Sequence, residues 1–146
     1  MKLEVRQVTE VTDSLLEAFG RLMPQLSPRL EAPSGERLRA VAANPSAALF
    51  TAESGGAVVG ALTLVWYDVP SGRKAWIEDV VVDAEARGTG AGRALVAAAL
   101  EHAGAIGAGK VLLTSNPARE AARALYRKMG FEEAATTVFA IKTDAK

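Results

Sequence analysis

Residues Trp76 to Gly92 read Trp-Ile-Glu-Asp-Val-Val-Val-Asp-Ala-Glu-Ala-Arg-Gly-Thr-Gly-Ala-Gly, and the fold is decided there. The apolar, β-branched run from Ile77 to Val82 predicts a strand. The polar segment after it predicts a turn, and the residues from Arg93 onward favour a helix. Between turn and helix lies Arg87-Gly88-Thr89-Gly90-Ala91-Gly92. Glycines at a strand-to-helix junction permit positive φ and close approach of the backbone to a ligand, and the first N–H groups of the helix have no intrahelical acceptor. The helix dipole, with Arg87 and Arg93, adds positive charge, so this bend is shaped for phosphate or diphosphate.

Two familiar phosphate motifs fail here. A dinucleotide fingerprint requires Gly-x-Gly-x-x-Gly, whereas Gly88, Gly90 and Gly92 are spaced by two throughout. A P-loop requires Gly-x-x-x-x-Gly-Lys-Ser/Thr after a strand. The nearest match, Gly104 to Lys110, is followed by Val111 and leads into a strand instead.

The rest of the chain frames that junction. A length of 146 residues is that of one domain, taken as 1–146, long enough to bury a sizeable core without staples. The absence of cysteine excludes disulfides, thiolate metal sites and a cysteine nucleophile, and no other metal site is expected. Lys plus Arg and Asp plus Glu balance at 17 each with no basic block, which argues against a nucleic-acid partner. Met1 to Thr9 alternates and carries charge, unlike a signal peptide, and no apolar run reaches membrane-spanning length. The expectation is a soluble, cytoplasmic protein with a small-molecule partner and no membrane association.

In chain order, Leu3 and Val5 alternate with charged residues as a first strand. Thr12 or Asp13 can cap a helix with Leu15, Leu16, Phe19, Leu22, Met23 and Leu26 on one face, ended or kinked by Pro24. Ser34 can cap a short second helix carrying Leu38 and Val41. Ala47–Glu53 and Ala57–Tyr67 flank a Ser-Gly-Gly turn, and a turn at Pro70 to Gly72 leads to the strand Lys74–Val82. After the glycine bend, Val96, Ala99, Leu100, Ala103 and Ile106 give the next helix its buried face, while His102 is read as lying on its surface. Lys110–Thr114 predicts a strand parallel to the one before the bend, because a helix joins them. A last helix carries Ala121, Ala122, Leu125 and Met129, ends at Gly130, and leaves Phe131 and Thr137–Ile141 for a final strand or two. The order β-α-α-β-β-β-α-β-α-β, with room for one more strand, predicts an α/β fold: one mixed sheet with helices on both faces.

The pattern Arg/Gln-x-x-Gly-x-Gly/Ala after a strand, met by Arg87, Gly90 and Gly92, resembles the acetyl-CoA loop of the GCN5-related N-acetyltransferase superfamily. Ala122-Arg123-Ala124-Leu125-Tyr126-Arg127-Lys128-Met129-Gly130-Phe131 is similar to that superfamily's Ala-x-x-Leu-Tyr-x-x-x-Gly-Phe signature. Two independent motifs at the right separation are more specific than either. The block Leu113-Thr114-Ser115 with Arg119-Glu120-Ala121-Ala122 further resembles small bacterial members.

The resemblance implies the acyl-CoA N-acyltransferase fold and transfer of acetyl from acetyl-CoA to a primary amine. It implies pantetheine lying between the fourth and fifth strands, with main-chain groups of Val80, Val81 and Val82 binding its amides. N–H groups of Arg87, Gly88, Thr89, Gly90, Ala91, Gly92 and Arg93 would bind the diphosphate. Tyr126 would be the general acid for the departing thiolate. Glu78 and Asp79 resemble the acidic pair of aminosugar acetyltransferases and are candidate bases. Neighbours on a regular strand face opposite ways, so only one enters the cleft unless a bulge intervenes, with Glu78 favoured. Many members place a cofactor-contacting asparagine seven positions before the tyrosine. Here that position is Arg119, with Asn116 three residues earlier, and the sequence leaves open which of them contacts the cofactor.

The acceptor site is expected from the Met23 to Glu31 loop, the hairpin around Trp66, Tyr67 and Trp76, and the C-terminal strand. The superfamily often dimerises, so a homodimer is among the expected assemblies. Two other functions fit the same sequence: a non-catalytic CoA-binding module for regulation or assembly, and a nucleotide-binding protein using the bend for ATP or NAD.

Overall fold

The computed structural model describes residues 2–145. The chain divides into two compact units, Met1–Leu113 and Thr114–Lys146.

In the first unit the sheet runs in the order β1 (Leu3–Gln7), β2 (Ala47–Ser54), β3 (Ala57–Val69), β4 (Gly72–Val82) and β5 (Lys110–Leu112). The first four strands pair antiparallel, and β5 is parallel to β4, as a helical crossover demands. Helix α1 (Asp13–Leu26) starts where Thr12 Oγ1 accepts the Leu15 N–H at 3.2 Å. Helix α2 (Gly35–Ala43) starts where Ser34 Oγ accepts the Arg37 N–H at 3.0 Å. Both caps satisfy N–H groups that the first turn leaves orphaned. Pro24 lies inside α1, which continues to Leu26.

Cross-strand partners share a face of the sheet. Leu49, Ala61 and Val81 form one face and pack with Leu15, Phe19 and Leu22 of α1 and Leu38 of α2. Phe50, Leu62, Leu64 and Ile77 form the other, covered by α3 (Ala91–Ala105), whose Leu95, Val96, Ala99 and Ala103 are buried. Leu95 joins the predicted α3 face. A Cβ built on Gly60 of β3 would sit 3.0 Å from the Val81 carbonyl and 3.1 Å from Leu95 Cδ1, so glycine lets the helix seat closely on the strands. His102 faces the sheet rather than solvent. Its ring lies 5.7 Å from that of Phe50 and 5.4 Å from that of Trp66. Trp66 therefore belongs to the α3 face, opposite Tyr67, as strand alternation requires.

In the second unit α4 (Glu120–Lys128) is half-buried along Ala122, Leu125 and Tyr126. Among the described residues no strand forms beyond it. Thr137–Ile141 keeps its alternation but has no paired partner, and Phe139 and Ile141 are 92% and 91% exposed. A strand is defined by the ladder it joins, and alternation alone does not supply one.

Candidate active site

Strand β4 is irregular where it matters. Thr63 pairs with Glu78 and Ala61 with Val81, so Asp79 and Val80 together oppose Leu62 in a β-bulge. Asp79 has φ +49°, which no other non-glycine among the described residues matches in sign, and aspartate tolerates that conformation better than most side chains. The bulge moves Val81 to the α1 face of the sheet, although it lies an even number of residues from Ile77 on the α3 face. Thr63 shares the face of Ala61, so its partner Glu78 also looks toward the α1 side. Trp76 and Tyr67 share that face through Val65, and Trp76 Nε1 donates to Tyr67 Oη at 2.9 Å.

Glu78 and Asp79 are exposed, and no cationic side chain pairs with either among the described residues. Partial burial, and then the neighbouring charge of Asp79, push the Glu78 carboxyl above its ordinary 4.5. Toward β5 the ladder is short. Pairing covers Lys74–Trp76 against Lys110–Leu112, and among the described residues no strand partners β4 on that side from Ile77 through Val80, Val81 and Val82. An open edge of this kind offers main-chain donors and acceptors to an extended ligand.

The bend follows. Asp83 caps a 3-10 turn at Ala84–Ala86, accepting the Glu85 N–H on Oδ1 at 3.1 Å. Thr89 then folds back, and its N–H and its hydroxyl both donate to the Ala86 carbonyl. Thr89 thus shapes the turn and spends the N–H expected for the diphosphate. Gly88 and Gly90 have φ +82° and +90°. Gly90 is the N-cap of α3 and, lacking a side chain, leaves the N–H groups of Ala91, Gly92 and Arg93 pointing from the helix end without an internal acceptor. Arg87 and Arg93 are exposed beside them. A Cβ at Gly88 would meet nothing within 4 Å, and one at Gly90 would come within 4.0 Å of Leu3 Cδ1.

Two side chains not foreseen from the sequence brace this bend. Arg21 and Gln25 of α1 reach Asp83 and the Ala84 N–H, the latter at 2.8 Å to Gln25 Oε1. Nothing marks them in the sequence beyond a spacing of one helical turn.

In the second unit the signature around Tyr126 ends α4 in a Schellman motif. The Phe131 N–H donates to the Tyr126 carbonyl at 2.9 Å and the Gly130 N–H to the Arg127 carbonyl at 3.0 Å, with Gly130 at φ +101°. The Tyr126 and Phe131 rings meet edge to face at 5.9 Å. Burial raises the Tyr126 phenol above its ordinary 10.0, with Arg119 opposing weakly, so it stays protonated. Asn116 Oδ1 accepts the Ala118 N–H at 2.9 Å and its carbonyl accepts the Arg119 N–H, which gives Asn116 a turn-forming task. Ser115 Oγ, which the sequence did not single out as a site, is buried without a hydrogen-bond partner among the described residues.

Glu78, Asp79, Val80 to Val82 and the bend thus lie together in the first unit, while Asn116, Arg119 and Tyr126 lie together in the second. A family model described as the acetyltransferase (GNAT) family matches residues 9–131, across both units. The chain belongs to the GNAT acetyltransferase family. Solved structures agree with the fold. A transcriptional regulator from Bacillus halodurans C-125 is 25% identical, with TM-score 0.81 over 97% of this chain and 100% of that one. An acetyltransferase from Trypanosoma brucei is 28% identical, with TM-score 0.76 over 97% and 100%. An aminoglycoside acetyltransferase, HMB0005, from an uncultured soil metagenomic sample is 26% identical, with TM-score 0.80 over 99% and 100%. Among curated proteins no sequence matches. The GNAT assignment carries acetyl transfer as the general chemistry. Among the described residues no helix is long and apolar enough to cross a membrane, and no cluster of His, Cys, Asp and Glu is placed to hold a metal ion.

Proposed function

We propose that this GNAT protein transfers acetyl from acetyl-CoA to a primary amine of a small molecule or peptide by direct attack in a ternary complex. One observation carries the cosubstrate assignment: the uncapped N-terminus of α3, opened by Gly90 between Arg87 and Arg93, follows across the bend a strand whose edge beyond Trp76 is paired with no strand among the described residues. The bend supplies donors for a diphosphate, and Val80 to Val82 supply main-chain partners for pantetheine amides. A main-chain N–H on that edge would also polarise the thioester carbonyl.

An amine arrives as a cation, pKa about 10.4, and must lose a proton before it can attack. Glu78 accepts that proton directly or through water, and its raised pKa makes it a better base when ionised. The unpaired carboxylates of Glu78 and Asp79 attract the cation, and Tyr67 with Trp76 offers an aromatic wall on the same face. As nitrogen bonds to the carbonyl carbon and the carbon–sulfur bond breaks, Tyr126 donates its proton to the leaving thiolate. A phenol held neutral by burial suits that role. Asn116 and Arg119 remain candidate contacts to CoA, and the reading needs no metal.

A CoA-binding module without transfer is the second reading. It is favoured by the similarity to a transcriptional regulator and by the structural task that Tyr126 already performs at the end of α4. The test is calorimetry with CoA, followed by a thiol-release assay with acetyl-CoA over amines, amino acids, aminosugars and peptide N-termini. Binding with release from at least one acceptor supports transfer. Binding with release from none supports the module, and competition by ATP or NAD without CoA binding overturns both.

A further inference from the structure

The bend is not held by its own residues alone. Arg21 and Gln25 lie one turn apart on α1 and both cross to the segment where β4 gives way to the loop. Arg21 Nη1 pairs with Asp83 Oδ2 at 3.0 Å, and its Nη2 donates to the Val58 carbonyl at 3.3 Å. Gln25 Oε1 accepts the Ala84 N–H at 2.8 Å, and its Nε2 donates to the Arg21 carbonyl at 3.1 Å. The Asp83 N–H donates to Val59 at 2.7 Å, which fixes the same residue from the sheet side. The Asp83 side chain is only 15% exposed, so the carboxylate end of this ion pair is shielded from solvent.

Asp83 and Ala84 are thereby fixed, Asp83 Oδ1 in turn accepts the Glu85 N–H at 3.1 Å, and these three residues separate β4 from the turn that ends in Gly90. Gln25 sits just after Pro24, whose missing N–H weakens that turn of α1. A side chain spanning from the weakened turn to the loop serves both. Just beyond Leu26 the chain enters the exposed connection to α2, the segment expected to meet the acceptor.

Resting on the acetyl-CoA reading above, we propose that Gln25 and Arg21 are positioning residues for the cosubstrate. They set the start of the bend so that the N–H groups of Ala91, Gly92 and Arg93 are presented before the diphosphate arrives. Preorganised donors bind more tightly than donors that must first be ordered. Neither side chain touches the reacting atoms in this proposal.

The test compares Gln25→Leu, which keeps the size and removes both hydrogen bonds, with Gln25→Glu, which keeps the acceptor for Ala84. In the full-length protein, CoA affinity by calorimetry should fall about tenfold in Gln25→Leu, the scale of one lost hydrogen bond of good geometry. KM for acetyl-CoA should rise by the same factor, with kcat at saturation within about twofold. Gln25→Glu should recover most of the affinity. The adenosine 3′-phosphate 5′-diphosphate half of CoA should lose the same factor, because it reaches the bend without the pantetheine arm. Arg21→Gln, read in the same assays, should also weaken CoA if the brace acts as a unit. Gln25→Leu that binds CoA as the wild type does, even with a lowered thermal midpoint, overturns the inference alone and leaves a purely structural brace. A wild-type protein that fails to bind CoA overturns the underlying reading and the inference with it.

Discussion

Two glycines at positive φ stand at opposite ends of two helices, and their backbones do opposite things. Gly90, φ +90°, precedes α3 and leaves the N–H groups of the first turn without side-chain acceptors. Gly130, φ +101°, follows α4 and lets Gly130 and Phe131 donate to Arg127 and Tyr126, closing the helix on itself. Both fall in motifs that resemble family signatures, yet only one is an open set of donors. Asking where the backbone hydrogen bonds go separates a helix end with free donors from one closed on itself, and glycine spacing cannot.

The closed end carries the residue with the largest expected effect. Tyr126→Phe keeps the ring against Phe131 and the whole Schellman motif, so the fold should hold. It removes only the phenolic proton, and turnover with acetyl-CoA should fall by roughly 10² or more. Steady-state rates alongside a thermal melt check this, and unchanged turnover would reduce Tyr126 to a capping residue. Next in size, Gly90→Ala places a Cβ at a conformation that disfavours it by about 1–2 kcal/mol, so relaxation of the backbone there should turn the donors away. CoA affinity by calorimetry should drop by about tenfold or more. If affinity holds, the diphosphate does not lie at this end of α3.

The sequence made the element order, the hairpins, the parallel crossover to β5, the two side-chain caps and the bend legible because each depends on local chemistry: β-branched runs, Thr12 and Ser34 before helices, glycines where φ is positive. A bulge entered the sequence reading only as the exception to alternation at Glu78 and Asp79, because the register shift depends on β3, which periodicity cannot see. Arg21 and Gln25 stayed hidden because an exposed polar pair at helical spacing is ordinary until a partner segment is placed against it. His102, the sole histidine, read as a surface residue because it lies in a helix far in sequence from the motifs, whereas its ring packs against Phe50 and Trp66. Thr137–Ile141 shows the converse error, a strand-like pattern for which no ladder forms.

Gly130→Ala is the matched counterpart of the Gly90 variant. Nothing lies within 4 Å of the new Cβ, so the cost is the backbone conformation alone, about 1–2 kcal/mol. The thermal midpoint should fall about as far as in Gly90→Ala while CoA affinity stays at the wild-type value. Loss of affinity in both variants would erase the distinction between the open end and the closed one.

Asp79→Asn is the smallest change and probes the base. Asparagine accepts φ +49° as readily as aspartate, so the bulge should survive. Glu78 has its carboxyl raised first by burial and then by Asp79, and a base works only when ionised, so kcat/KM should fall as pH drops through that raised value. Removing the neighbouring charge makes Glu78 easier to ionise. The acidic limb should therefore move down toward 4.5, while the burial contribution keeps it above that value. A pH–rate profile reads the shift. A limb that vanishes with Glu78→Gln and moves down with Asp79→Asn assigns the base to Glu78. A limb that ignores Glu78→Gln but vanishes with Asp79→Asn assigns it to the bulge residue, whose unusual φ would then aim the carboxylate rather than merely turn the strand.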